Sequence, residues 1–194
     1  MTGALFAVVG PSGAGKDTLM EAVQRARPDV TLVRRVITRP SAAGGENFEG
    51  VTPAEFAQRL AQKAFALHWQ AHGLSYGIPA SITADVAQGN TVLFNGSRTM
   101  LSEAAQIHPG LRVLHITASD AVLGARLRGR GRETDTDITR RLERARLPLP
   151  VGLDVTVIDN STTIAAATAQ MLQALDRPNL GKKTACEPQT VKLL

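Results

Sequence analysis

Apolar and polar positions alternate along this chain in two rhythms. Short, wholly apolar or β-branched runs recur at Leu5 to Val9, Val30 to Thr38, Thr91 to Phe94, Leu111 to Thr117 and Val155 to Asp159. Runs of this kind suit central parallel strands that are covered on both faces. Between them lie segments with helical spacing. Lys16 to Arg27 places Leu19, Met20 and Val23 on one face, with Pro28 just beyond. Arg98 to Ile107, Ala121 to Arg128, Asp137 to Arg146 and a last segment from Ser161 or Thr162 to Leu175 follow the same period. Strand and helix in alternation predict an α/β fold: a mostly parallel five-stranded sheet flanked by helices.

One stretch interrupts the alternation. Thr52-Pro53-Ala54-Glu55 reads as a helix start, with Thr52 as cap, Pro53 at the first helical position and Glu55 closing a capping box. Phe65 to His72 then reads as a strand, the turn-rich Gly73 to Pro79 as the close of a hairpin, and Pro79 to Gln88 as a helix ended by Gly89. Residues 48–79 therefore form a small αβ insertion in a single domain spanning 1–176. Residues 177–194 mix Pro, Gly, Lys and Thr without periodicity and read as a mobile tail.

Composition adds limits. A chain of 194 residues with 43% hydrophobic content suits one domain with a full core. The net charge is +5 and arginine outnumbers lysine, which suits recognition of phosphate. Aromatics make up only 4% and no nucleic-acid-binding motif is present, so the charge is read as serving small anionic substrates. No apolar run approaches a membrane span, and the N-terminus enters a strand directly rather than a signal peptide. The single cysteine, Cys186, excludes an internal disulfide and a cysteine-built zinc site, so the cytoplasm is the expected compartment.

The chemistry starts after the first strand. Gly10, Pro11, Ser12, Gly13, Ala14, Gly15, Lys16, Asp17 and Thr18 form a Gly-x4-Gly-Lys loop between a strand and a helix. In that setting the loop's backbone N–H groups turn inward and, with the helix N-terminus, hold polyphosphate oxygens. Lys16 would reach the outer phosphates. Where the motif carries Ser or Thr for magnesium, this chain has Asp17. A carboxylate there either serves as a hard metal ligand, directly or through water, or caps the helix dipole.

A second cluster is basic. Arg126, Arg128, Arg130, Arg132, Arg140, Arg141, Arg144 and Arg146 flank a glycine-rich segment. Arg130 and Arg141 are the expected functional members, on a lid at about 128–137. A phosphate acceptor is already ionised and needs no general base. Mobile arginines can offset its repulsion with the donor, and closing them over the site excludes water.

These residues resemble the guanylate kinase branch of the P-loop kinases. The resemblance lies in Gly10 to Lys16, Thr38-Arg39 with Gly45-Glu46 and Gly50, Tyr76-Gly77-Ile78-Pro79, and Arg126-Leu127 with Arg130-Gly131, Ile138, Arg141 and Leu142. It covers about residues 4–175. The departures concern base recognition. Ser41-Ala42-Ala43 follows Pro40 where that branch has a second arginine, Val51 to Pro53 lacks its tyrosine, His68 stands where it reads guanine with glutamate, and Asn95-Gly96-Ser97-Arg98 replaces an acidic segment. Lys16-Asp17, Ile37 to Pro40, Gly44 to Asn47, Asn95 to Arg98 and Asp159-Asn160-Ser161 instead resemble the ribose 1,5-bisphosphate phosphokinases.

The resemblance implies transfer from ATP, with Mg2+, to a phosphate of ribose 1,5-bisphosphate, in phosphonate degradation or a bypass route to phosphoribosyl pyrophosphate. Lys16, Arg130 and Arg141 would act in catalysis, Gly10 to Thr18 and Asn160 in nucleotide binding, and Arg39, Glu46, Asn47, His68, Tyr76 and Arg98 in sugar phosphate binding. Arg98 is otherwise a surface residue opening a helix, and His68 otherwise a satisfied core histidine. The expected partners are small molecules, with no nucleic acid and no membrane, in a monomer or homodimer. The competing readings are a guanylate kinase with relaxed motifs, a non-catalytic interaction module, which the intact Gly10, Gly15 and Lys16 oppose, and a gluconate-type sugar kinase, which lacks a base here.

Overall fold

The computed structural model describes residues 3–40, 47–129 and 134–177. Two sheets organise them. The larger has five parallel strands in the order β2-β7-β1-β8-β9, formed by β1 (Ala4–Val9), β2 (Val30–Leu32), β7 (Thr91–Asn95), β8 (Arg112–Thr117) and β9 (Asp154–Asp159). The smaller has the order β4-β3-β6-β5, from β3 (Arg35–Ile37), β4 (Phe48–Gly50), β5 (Phe65–Ala71) and β6 (Leu74–Pro79). The helices are α1 (Lys16–Ala26), α2 (Pro53–Ala61), α3 (Ile82–Ala87), α4 (Leu101–Ile107), α5 (Asp120–Gly129), α6 (Asp135–Ala145) and α7 (Ile164–Asp176).

Because β1 is covered on both faces, all its residues but the first are buried, and alternate side chains serve different layers. Phe6 and Val8 join Leu19, Met20 and Val23 of α1 and Ala167, Met171 and Ala174 of α7. Leu5, Ala7 and Val9 face Leu101 and Ala104 of α4, Ile82 of α3, and Leu67, Trp69 and Ile78 of the small sheet. The second layer anchors the small sheet to the large one through apolar contact. Burying Phe94, which has no exposed surface, contributes about 2–3 kcal/mol.

The pattern over Val30 to Thr38 divides rather than forming one strand. Val30 to Leu32 pairs with β7, Val33 N–H still donates to Leu93 O at 2.9 Å, and Arg35 to Ile37 joins the small sheet. The segment from Pro79 to Gln88 also starts later than its pattern suggests. Pro79 is the last residue of β6, with its ring at a strand end where no donor is needed, and α3 begins at Ile82. The helix expected from Arg98 opens as a single 3-10 turn, Arg98–Met100, before α4. By contrast α2 starts where its capping box places it: Glu55 N–H donates to Thr52 Oγ1 at 3.2 Å, and Thr52 N–H donates back to Glu55 Oε2 at 2.7 Å. The β5–β6 hairpin turns on His72 and Gly73, at φ 54° and 74°. Two left-handed residues match the twist of the strands they join.

Candidate active site

An open cleft of about 1260 Å³ lies at the C-terminal ends of β1 and β7, between the glycine loop, the small sheet and α6. Ligands of open α/β sheets bind at such strand ends. The sequence folds tightly here for a steric reason. Gly10 has φ 154°, and a Cβ there would sit 2.2 Å from Ile116 O. Gly15 has φ 87°, and a Cβ there would meet Asn160 Nδ2 at 2.6 Å. Only glycine lets the loop lie this close to β8 and to Asn160.

Gly15 is also the N-cap of α1 and contributes no side-chain cap, so the first-turn N–H groups face the cleft without side-chain acceptors. That is the arrangement of an anion site. Lys16 Nζ donates to Gly10 O at 3.0 Å and Pro11 O at 3.2 Å, folded back over the loop. Asp17, in the first turn, accepts from Asn95 Nδ2 at 2.8 Å. Among the described residues no group of three or more His, Cys, Asp or Glu could hold a metal ion. Asp17 therefore fits magnesium only as a ligand shared with phosphate oxygens, as such ions are commonly held.

The loop has a support behind it. Asn160, with no exposed surface, donates to Ala14 O at 2.7 Å. Arg126 donates to Gly13 O and Ala14 O, both at 3.4 Å, and to Asn160 O at 3.0 Å. These bonds draw the loop carbonyls outward, which leaves the amides for the cleft. Asn160 thus lies beneath the loop and not on a nucleotide-facing surface, and Ala14 is buried with it rather than lining the cleft. Arg126 was legible only as part of a lid motif, and its role as a brace was missed.

The cleft holds seven cationic side chains, Lys16, Arg35, Arg39, Arg98, Arg140, Arg141 and Arg144, against three carboxylates, Asp17, Glu21 and Asp137. Its charge suits a polyanion. Tyr76, Arg39, Arg141 and the loop residues other than Ala14 are brought together in it. Arg39 places its guanidinium 4.3 Å from the centre of the Phe48 ring. Arg141 and Arg140 project from α6, whose N-terminus is fixed by a second capping box in which Asp137 N–H donates to Thr134 Oγ1 at 3.2 Å. The hydrogen bonds from Thr134 hold the Asp137 carboxyl below its usual range.

Several expected residues fall elsewhere. His68 is exposed, on the sheet face opposite Trp69, because Leu67 and Trp69 take the buried side of β5 and the period is two. It neither meets the cleft nor fills the core. Asn47 is exposed and outside the cleft lining. Glu46 and Arg130 lie outside the described residues. Arg98 does line the cleft, yet its guanidinium donates to Arg144 O at 2.5 Å, Leu147 O at 2.8 Å and Ala145 O at 3.3 Å. It caps the C-terminus of α6, where carbonyls lack partners and a cation is favoured. Burial lowers its pKa. Arg35 and Trp69 were missed; the signal was a pair of charges, Arg34-Arg35, inside an otherwise β-branched run.

Comparison with known proteins agrees with this geometry. A guanylate kinase family model matches residues 3–175. The chain is 46% identical over 177 residues to ribose 1,5-bisphosphate phosphokinase PhnN of Rhizobium etli, which covers 90% of each. It is 47% identical over 169 residues to the protein of that name from Ruegeria, covering 87% of this chain and 89% of the other. Against the one from Azotobacter vinelandii it is 44% identical over 189 residues, 96% of this chain and 100% of the other. Among solved structures, guanylate kinase from Anaplasma phagocytophilum superposes with a TM-score of 0.65 at 18% identity, covering 90% and 85% of the two chains. A gluconokinase from Sinorhizobium meliloti gives 0.53 at 18%, covering 90% and 91%. These two likenesses show the shared fold alone. The chain belongs to the guanylate kinase family and, within it, to the ribose 1,5-bisphosphate phosphokinases.

Proposed function

We propose that this kinase transfers the γ-phosphoryl group of ATP to the 1-phosphate of ribose 1,5-bisphosphate, giving 5-phosphoribosyl 1-pyrophosphate. One observation carries the choice of acceptor. Asp17, Glu21 and Asp137 belong to α1 and α6, so among the described residues the small-sheet wall of the cleft presents Arg35, Arg39, Trp69, Ala71, His72 and Tyr76 and no carboxylate. A site that reads guanine needs an acceptor for the ring N–H groups, and leaving those groups unpaired would cost most of its selectivity. A wall of arginine suits a second phosphate.

An oxygen of the acceptor phosphate attacks the γ-phosphorus in line. The new P–O bond forms as the bond to the β,γ-bridging oxygen breaks, and ADP departs with that oxygen. The acceptor is ionised at neutral pH, so no residue has to remove a proton. The loop amides and those of the first turn of α1 orient the donor. Lys16 exchanges its two carbonyl partners for phosphate oxygens, and Arg141 offsets charge between donor and acceptor. Asp17, together with the triphosphate oxygens, would hold a magnesium ion, which would supply charge neutralisation.

We read residues 1–176 as one kinase domain, with the small sheet as its acceptor-binding part. Dependence on ATP makes the cytoplasm its working compartment, and its product suits phosphonate breakdown or another route to phosphoribosyl pyrophosphate. The test is a paired assay with ATP and either ribose 1,5-bisphosphate or GMP, the product identified by phosphorus NMR. A pyrophosphate resonance from the sugar supports the reading; turnover of GMP alone sinks it. Lys16→Ala should lower kcat by about 10³-fold while leaving the fold intact; unchanged turnover would remove Lys16 from the mechanism.

A further inference from the structure

Arg35 differs from every other arginine in the cleft. It is only 8% exposed, and it stands in a strand rather than on a loop or helix. Ile37 pairs with Tyr76, and Tyr76 with Trp69, so these three share one face of the small sheet. Arg35, two residues before Ile37, belongs to the same face. The Trp69 and Tyr76 rings stack 5.3 Å apart and 4° from parallel. The Arg35 guanidinium carbon lies 5.3 Å from the Tyr76 centroid and 5.8 Å from that of Trp69. A planar cation backed by two aromatic faces is fixed in place before any ligand arrives.

We propose that Arg35 binds the phosphate of the acceptor that does not react. The inference rests on the reading that the acceptor is a bisphosphate. Two dianionic groups on one sugar call for two cationic anchors. Arg98 is committed to three carbonyls at the end of α6. Arg39 and Arg35 are then the arginines that the small sheet and its margin bring to the cleft, no more than roughly 13 Å apart along the chain.

The aromatic pair does not serve as a base-stacking platform instead. Trp69 is 8% exposed and already covered by Tyr76, so too little ring face remains for a nucleobase. A held guanidinium contacts a distal phosphate equally in the ground state and the transition state. Its removal should therefore act on KM and leave kcat nearly unchanged.

Trp69 is the only tryptophan, so its emission reports ligand at Arg35 directly. Ribose 5-phosphate carries the distal phosphate without the reacting one and is the probe. Titrated into the full-length protein, it should change the emission saturably. Arg35→Met, which keeps much of the packing volume, should weaken that binding about 30-fold, and Arg35→Lys about 5-fold. In turnover, Arg35→Met should raise KM for ribose 1,5-bisphosphate by about 30-fold, with kcat within about 3-fold and KM for ATP unchanged.

Equal affinity for ribose 5-phosphate in wild type and both variants overturns the inference, as does an equal loss of ATP binding. Should Arg35→Met fail to fold, Arg35→Lys decides: unchanged affinity overturns the inference and intermediate weakening supports it. Product formation by wild type with Arg35-independent ribose 5-phosphate binding would defeat this inference alone. Arg35-dependent binding without any product would defeat the reaction and leave the site.

Discussion

Asn95 at the tip of β7 donates its side-chain amide to Asp17 in the first turn of α1, at 2.8 Å. The bond fixes one oxygen of the carboxylate, and the proposed magnesium ion would take the other. Asp17→Asn preserves size and removes charge. It should lower kcat by about 10²-fold and raise the magnesium concentration needed for half-maximal rate. Asn95→Asp would face two carboxylates across the same gap, and repulsion would raise the pKa of one of them. As the pH is lowered, its rate should fall at a higher pH than that of wild type. A magnesium titration and a pH–rate profile check both.

Asn160 supports the phosphate loop from a site with no exposed surface. Asn160→Leu removes the bond to Ala14 O and crowds Gly15. The expected loss is about 2 kcal/mol. In a chain of this size that is a fall of about 4–8 °C in Tm. KM for ATP should rise, because the loop amides lose their orientation. Calorimetry and ATP titration read the two effects, and a weakened loop with unaltered Tm would contradict the account.

Arg98 holds the C-terminus of α6, which carries Arg140, Arg141 and Arg144. Arg98→Met should lower kcat by about 10-fold, since those side chains lose their position, while KM for the sugar moves by less than about 3-fold. Lysine cannot reproduce a guanidinium shared among three carbonyls, so Arg98→Lys should not rescue. A large rise in KM, rescued by lysine, would instead mark Arg98 as a phosphate ligand.

Burial lowers the pKa of His115, and the charge of Arg98 lowers it further; burial alone lowers that of His108. Both Nε2 atoms are buried without a hydrogen-bond partner. In the unfolded chain each takes its proton near pH 6.5, earlier than in the fold, as the pH falls. The folded state thus holds fewer protons, and its stability rises with pH in this window. The contribution is complete above about pH 6.5 and is lost as the pH drops through the lowered values. Tm should fall between about pH 7.5 and pH 5, and His115→Gln with His108→Gln should flatten that slope.

The large sheet was readable because its strands are short apolar or β-branched runs, nearly unbroken in β1 and β7, and α2 because its cap is written in four consecutive residues. The division of Val30 to Thr38 between two sheets was not, because both halves have the same β-branched composition and differ only in their tertiary partners. In the site, the phosphate loop was legible from its glycines, whose need is local and steric. Arg98, Arg126 and Asn160 were visible as residues but not as braces, since what they hold are carbonyls contributed by distant segments. His68 was misplaced because resemblance supplies a position along the chain, whereas strand pleat decides which face that position serves.

The divided run has a mechanical meaning. Val33 is still hydrogen-bonded to the large sheet and Arg35 already belongs to the small one, so Arg34 alone spans the joint on the outward strand. On the return, Pro79 ends β6 and α3 starts at Ile82, which leaves Ala80 and Ser81. Two crossings of one and two residues define an axle. Rotation about it would carry the Arg35, Trp69 and Tyr76 wall toward the phosphate loop as one piece, keeping the ladder bonds of both sheets while Leu67, Trp69 and Ile78 slide over the apolar face that anchors them. The acceptor would then be sealed against water by torsion at Arg34 and Ser81, since the Ala80 N–H is held by Ala64 O, with the farthest part of the wall travelling most.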